Sequence, residues 1–272
     1  MSADTVDAGI ELRPGALLRS GTAGSFEVPE DLWGFGGMHG GLSLGLLTAA
    51  MAATSAQDEL LNVTGRYHRP IRSAFGVTTD VTRSGRSTEA MAAAATSPER
   101  GLHVEASALF GARPPADWPP VAGPPIPDVP RPDLLDETYL PPPELVPIGR
   151  HYEIRPVGPH RPVTGGSMPE LMAWIRLLED DEPPDRERVI FLLDTLPPSW
   201  SAMMTDPFPV PTVEYGVRPS GATVTDGSPW LLVKAVTRSV GTGGWLDEQL
   251  DAWSEDGTYI AAAQQFRVLR GA

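Results

Sequence analysis

An α+β fold built twice, each copy an antiparallel sheet wrapped around a long central helix, is what three observations in this sequence predict. The segment 259–270 repeats the earlier segment 103–113. A run of small apolar residues after Gly40-Gly41 reads as a helix buried on every side. Strand-like segments with alternating polar and apolar residues follow that run, and they recur in the second half. The repeat is ordered. Starting from Val81-Thr82-Arg83-Ser84 and Val236-Thr237-Arg238-Ser239 and allowing one insertion, Gly101 falls on Gly257, Val104 on Ile260, Ala106 on Ala262 and Phe110 on Phe266. Leu109 then falls on Gln265, so the second copy gains a polar group where the first has an apolar one.

The elements follow in order. Leu42-Ser43-Leu44-Gly45-Leu46-Leu47, continuing to Ala53, is the first central helix, and strands are expected over 63–71, 76–83, 88–95 and 103–110, separated by Ser-Gly-Arg and Ser-Pro-Glu-Arg-Gly turns. Pro114-Pro115, Pro119-Pro120, Pro124-Pro125 and Pro141-Pro142-Pro143 exclude helix or central strand from 113 to about 150. That stretch is a stiff connector, dividing the chain into a first unit over 1–112 and a second over 151–272. In the second unit, strands are expected over 151–155 and 171–178, a helix from Asp185 to Asp194, and strands over 212–217, 230–237, 245–253 and 259–269. Leu246, Glu248, Leu250 and Ala252 alternate with Asp247, Gln249, Asp251 and Trp253, as in a sheet with one wet face.

At 272 residues and 41% hydrophobic content the chain can fill a substantial core. It has no cysteine, which removes disulfides, thiolate nucleophiles and cysteine-ligated metals. Residues 1–9 lack the basic start and apolar core of a signal peptide, and no apolar run approaches the roughly 18 to 20 residues of a membrane span, so a cytoplasmic protein is expected. A net charge of -14 argues against non-specific nucleic-acid binding. Arg66, Arg69, Arg72, Arg83 and Arg86 lie close in sequence and suit an anionic ligand, or else simply cover solvated strand faces.

The sequence resembles the double-hotdog acyl-CoA thioesterases, the group that includes the bacterial thioesterase II enzymes, over roughly residues 15–110 and 151–270. The likeness rests on Gly36-Gly37-Met38-His39-Gly40-Gly41 entering a small-residue helix, Arg66-Tyr67-His68-Arg69-Pro70 after it, Asp194 near the end of the second helix, Thr212 opening a strand, and the run from Asp256-Gly257 to Gln264-Gln265. The resemblance implies that Asp194, Thr212 and Gln265 hold and activate a water, that His39, Gly40, Gly41, Arg66 and Arg69 bind substrate, and that no cofactor or metal is needed. It also implies an acyl-CoA substrate and allows a homodimer of double units. Two positions depart from the family pattern: its aspartate-histidine pair appears as Glu214-Tyr215, and the glutamine of its glycine motif is His39.

The residues suit that chemistry. A carboxylate after Val189-Ile190-Phe191-Leu192-Leu193 emerges from apolar surroundings that strengthen it as a base, while a threonine and a glutamine can aim a water. Backbone N–H groups at Gly40 and Gly41 open the first helix, where unpaired donors and the helix dipole favour a developing oxyanion. Plainer readings stand beside these: Asp194 as a helix-end residue, Thr212 as a strand starter, and Gln264 instead of Gln265 as the inward glutamine. Trp33, Trp174, Trp200 and Trp230 either line an acyl channel or pack the core. Gly41-Leu42-Ser43-Leu44-Gly45 matches the nucleophile elbow of serine hydrolases, but a glycine-rich loop precedes it where an apolar strand is required. A hotdog hydratase and a non-catalytic acyl-CoA or lipid binder remain as alternatives. None of the five histidines follows an aspartate by five positions, the spacing common in the hydratases.

Overall fold

A computed structural model describes residues 13–21, 23–112, 121–222 and 227–270. Its spine is one sheet of eleven strands in the order β1-β3-β4-β5-β2-β8-β11-β10-β9-β7-β6, antiparallel at every pairing. The first half supplies β1 (Gly24–Phe26), β2 (Glu59–Tyr67), β3 (Phe75–Ser84), β4 (Thr88–Ser97) and β5 (Gly101–Gly111). The second supplies β6 (Tyr152–Val157), β7 (Glu170–Leu177), β8 (Thr212–Pro219), β9 (Leu231–Val240), β10 (Trp245–Ser254) and β11 (Tyr259–Val268). The two expected sheets are therefore halves of one, joined where Val63 pairs with Val217 and Arg66 with Glu214. Strand β2 starts four residues earlier than expected because an irregularity between Leu60 and Asn62 lets Glu59 and Leu60 continue the ladder against β5.

Each half wraps a helix. The first, α2 (Gly40–Ala52), is buried from Gly41 to Met51. The second, α3 (Arg186–Leu193), fills the expected span with Asp185 and Asp194 as its caps, and at eight residues is shorter than α2. Pro183-Pro184 and Pro197-Pro198 confine it, and the Asp185 side chain caps it by accepting from the Arg188 N–H at 2.9 Å. A short helix α1 (Pro14–Arg19), which the sequence pattern did not reveal, lays Leu17 and Leu18 against α2.

The two central helices touch through glycine. A Cβ on Gly41 would sit 2.7 Å from Asp194 Cβ and 2.9 Å from the Phe191 carbonyl, and one on Gly45 would sit 2.6 Å from Leu18 and 3.2 Å from the Glu187 carbonyl. Glycines one turn apart on α2 thus let α3 run alongside in the opposite direction, bringing the end of α3 to the start of α2.

On the far side of the second half's sheet, Trp174, Trp230, Trp253, Leu232 and Val157 form a separate apolar cluster covered by Ile126, Val129 and Leu135 of the proline-rich connector. Trp174 Nε1 donates to the Pro130 carbonyl at 2.9 Å and Trp253 Nε1 to that of Pro124 at 2.8 Å. Trp174 and Trp230 therefore hold the connector down and face away from α3; they do not line a channel between the helices. The corresponding face of the first half carries Thr64, Thr78, Ala92, Ala94 and Ser107 around a groove of about 530 Å³. Among the described residues no helix is long and apolar enough to cross a membrane.

Candidate active site

Asp194 is the C-cap of α3, and its side chain is only 9% exposed. It faces the N-terminus of α2, where its Oδ2 accepts from the Gly41 N–H at 2.6 Å. Its Oδ1 accepts from Gln265 Nε2. A carboxylate lodged against the first turn of a helix gains from the dipole and from the unpaired N–H groups there. Gly40, by contrast, is held by its carbonyl, which accepts from Tyr67 Oη at 2.9 Å and Ser43 Oγ at 2.7 Å. The Gly40 N–H has no partner among the described residues. Gly41 was expected to be a free oxyanion donor, but its N–H is engaged by Asp194, so Gly40 is the open donor of the pair.

Gln265 lies on the helix-facing side of β11 and is fully buried, whereas Gln264 points outward and donates to Asp247 at 2.7 Å. Thr212, at the start of β8, pairs in register with Arg267 and so shares the face of Gln265; its hydroxyl makes no hydrogen bond among the described residues. His39, the residue before α2, is buried against the edge of Phe191, with Nδ1 3.7 Å from Asp194 Oδ2 and without a hydrogen-bond partner. Burial, more than any neighbouring charge, lowers the His39 pKa, so the ring is neutral at pH 7; Asp194 pulls the other way and Arg267 adds to the lowering.

Arg66 and Arg69 stand apart from this cluster. Arg66 projects from the outer face of β2 and pairs with Glu214 at 2.8 Å, with both side chains exposed. Arg69 Nη1 donates to the Arg100 carbonyl. The departure Glu214-Tyr215 now has a structural meaning: Glu214 faces out to Arg66, and Tyr215 faces in, donating from its hydroxyl to the Ile190 carbonyl of α3 at 2.7 Å. Burial first, and then the charge of Asp194, push the Tyr67 and Tyr215 pKa values well up, so both remain neutral donors that pin the helices. Ser43 lies inside α2 and donates to the Gly40 carbonyl, which is not the exposed turn a nucleophile elbow requires.

Two residues the sequence did not single out complete the cluster. Arg267 donates from Nη2 to Gln265 Oε1 and from Nε to Glu248 Oε2 at 2.8 Å, and Glu248 Oε1 accepts from the Ser199 N–H at 2.5 Å. Glu248 is 1% and Arg267 6% exposed. One signal was available: Glu248 interrupts the apolar row Leu246, Leu250 and Ala252. Among the described residues no three His, Asp or Glu side chains gather as a metal site would require.

The register also corrects the internal alignment. Strand β5 carries an extra residue at His103 and β11 at Ile260, seen where Ala95 pairs with Val104 but Thr96 with Leu102, and Ala252 with Ala261 but Trp253 with Tyr259. Superposing these bulges sets Gln265 on Ala108, not Leu109, and Arg267 on Phe110. Phe110 and Phe266, paired by the sequence alignment, are therefore not counterparts: Phe110 is fully buried and Phe266 is 41% exposed.

A helix-wrapping antiparallel sheet made twice, with a buried carboxylate where the two helices meet, defines a double-hotdog protein. The chain belongs to the acyl-CoA thioesterase family: residues 29–111 match the family's N-terminal domain and residues 120–268 its C-terminal domain. Among solved structures, a hot dog fold protein of unknown function from Alicyclobacillus acidocaldarius is similar at 21% identity, covering 94% of this chain and 98% of that one with a TM-score of 0.81. A tesB protein of Mycobacterium avium subs paratuberculosis is 19% identical, covering 94% of this chain and 99% of that one with a TM-score of 0.72. An acyl-CoA thioesterase II, TesB2, of Mycobacterium marinum is 20% identical, covering 86% of this chain and 89% of that one with a TM-score of 0.66. At these identities the likeness establishes the fold. A search of curated proteins finds no match.

Proposed function

We propose that this protein hydrolyses acyl-CoA thioesters to the free acid and CoA, using a water activated by Asp194 with Gln265 and Thr212. The observation that carries the reading is the buried Asp194 carboxylate, held at the mouth of α2 by Gln265 and the Gly41 N–H. Each carboxylate oxygen keeps a second acceptor site, and the second N–H of Gln265 is free to orient a water. In the step proposed, the water's oxygen bonds to the thioester carbonyl carbon while its proton passes to Asp194. The resulting oxyanion is met by the Gly40 N–H, aided by the α2 dipole. Collapse breaks the C–S bond, and the proton on Asp194 is available to the departing CoA sulfur.

Thr212, on the face of Gln265, is assigned to the same water. His39 borders the carboxylate as a neutral ring and shapes the acyl side of the site. Tyr67 links this cluster to the exposed end of β2, where Arg66 and Arg69 are candidates for the phosphates of CoA. A cysteine-free chain acting on CoA esters suits the cytoplasm.

The test is a panel of short, medium, long and aromatic acyl-CoA esters with detection of released thiol. Hydrolysis of at least one ester, abolished in Asp194→Asn, is expected. Acyl-CoA binding without thiol release from any ester would replace the enzyme by a non-catalytic binder.

A further inference from the structure

We infer that Arg267, anchored by Glu248, is the positioning residue that fixes which end of the Gln265 amide faces Asp194. The inference rests on the hydrolytic reading above and deepens it.

A glutamine amide is nearly symmetric in shape, and a half-turn exchanges its acceptor for its donor. While Asp194 is ionised, its charge alone favours the NH₂ end. Once Asp194 has taken the water's proton that preference disappears, because a protonated carboxyl can donate to the amide oxygen. An arginine has donors only, so Arg267 can meet Gln265 at Oε1 and nowhere else. The polarity of every link is set in the same way. The Ser199 N–H and the Arg267 Nε both donate to Glu248, Arg267 donates to Gln265, and Gln265 and the Gly41 N–H both donate to Asp194. A backbone N–H, which cannot flip, closes each end of the series.

A second observation separates this role from simple packing. The first half fills the positions of Glu248, Gln265 and Arg267 with Met91, Ala108 and Phe110, all buried and apolar. The fold is thus built once without any charge there. A buried ion pair is seldom better for stability than apolar residues of similar size, so stability alone gives little reason to keep Glu248 and Arg267.

The experiment compares Glu248→Met/Arg267→Met with the native protein for thermal stability, kcat and KM on an ester the native protein hydrolyses, and repeats the comparison in a Gln265→Ala background. The double variant removes both charges together but leaves the buried Ser199 N–H and Gln265 Oε1 without these partners, so it is expected to fold with a modestly lowered Tm. We expect kcat to fall on the order of 10- to 100-fold, as misaligned catalytic groups do, with KM within about threefold. Arg267 Nη2 also lies 3.8 Å from Asp194 Oδ1, so in the Gln265→Ala background the same double change is expected to keep only a small part of the loss, at most about threefold, the larger part acting through Gln265. If the double variant does not fold, Arg267→Lys, which retains the charge beside Glu248, enters the same cycle with the same expectation of non-additivity. A kcat within about threefold of native, or an equal loss with and without Gln265, overturns the positioning role while leaving hydrolysis intact. A native protein that releases no thiol from any ester overturns both.

Discussion

The helix-facing rows of the two halves follow the same ladder and carry opposite chemistry. In the first half the row reads Leu60, Val63, Met91, Ala108 and Phe110; the second half places Thr212, Tyr215, Glu248, Gln265 and Arg267 at the corresponding positions. The central helices differ likewise, α2 ending in Ala53 as C-cap and α3 in Asp194. The first half keeps one buried carboxylate in β4, Glu89, but it accepts from the Ala56 N–H at 2.7 Å and the Ser55 hydroxyl at 3.0 Å, closing the chain after α2. The difference teaches that the fold needs none of the polar residues in the second row. They are concentrated where α2's N-terminus, a feature of the first half, meets the cap of α3, so neither half holds the proposed site alone.

The sharpest break of this comparison is Asp194→Asn. Loss of the proposed base is expected to lower kcat/KM for acyl-CoA by about a thousandfold, measured by thiol release, with the melting temperature little changed. Next, Glu248→Met alone strands the Arg267 charge in the core and should cost about 3–5 kcal/mol in denaturant unfolding; adding Arg267→Met should return part of that, the buried Ser199 N–H staying without its acceptor. Exchanging the halves' residues follows. Gln265→Ala should cost about a hundredfold in kcat. Ala108→Gln, an amide without a partner, should lower stability by about 1–3 kcal/mol and leave kcat within about twofold.

Gly41→Ala forces a Cβ against Asp194 and Phe191 and should cost about 1–3 kcal/mol together with activity, whereas Gly24→Ala, which meets nothing within 4 Å, should stay within about 0.5 kcal/mol of native. The smallest effect concerns pH. Because the folded state lowers the His39 pKa, the unfolded chain binds the proton first as pH falls below about 6.5. Stability should then decline by up to about 1.4 kcal/mol per pH unit down to the folded pKa, and this decline should be absent in His39→Asn when unfolding is followed between pH 7.5 and 5.5.

Much of the architecture was legible because long strands with one wet face and a helix buried all round leave strong periodic patterns. Strands β3, β4, β9, β10 and β11 fall within a few residues of expectation, while the three-residue β1 and six-residue α1 are too short to leave a period. The slip of one residue in the internal alignment has a specific origin. Gly101 is the fifth residue of a turn counted from Ser97, and Gly257 the fourth counted from Ser254, and both need positive φ. Matching glycine to glycine therefore moved every later residue to the wrong face. Asp194 and Gln265 came from family likeness, and geometry brings them into contact; Thr212 is placed on their face without a contact to either. The roles of Glu248 and Arg267 were not legible, since a charge in a strand is ordinarily solvated and only the fold shows that both are enclosed.

A structure with a non-hydrolysable acyl-CoA analogue tests the account most directly. The analogue's carbonyl should lie beside the Gly40 N–H, with room for one water between its carbon and Asp194 and with Gln265 facing that water. An analogue seated against Met91 and Ala108, or in the outer groove beside Thr78 and Ala92 with its carbonyl far from Asp194, would contradict it.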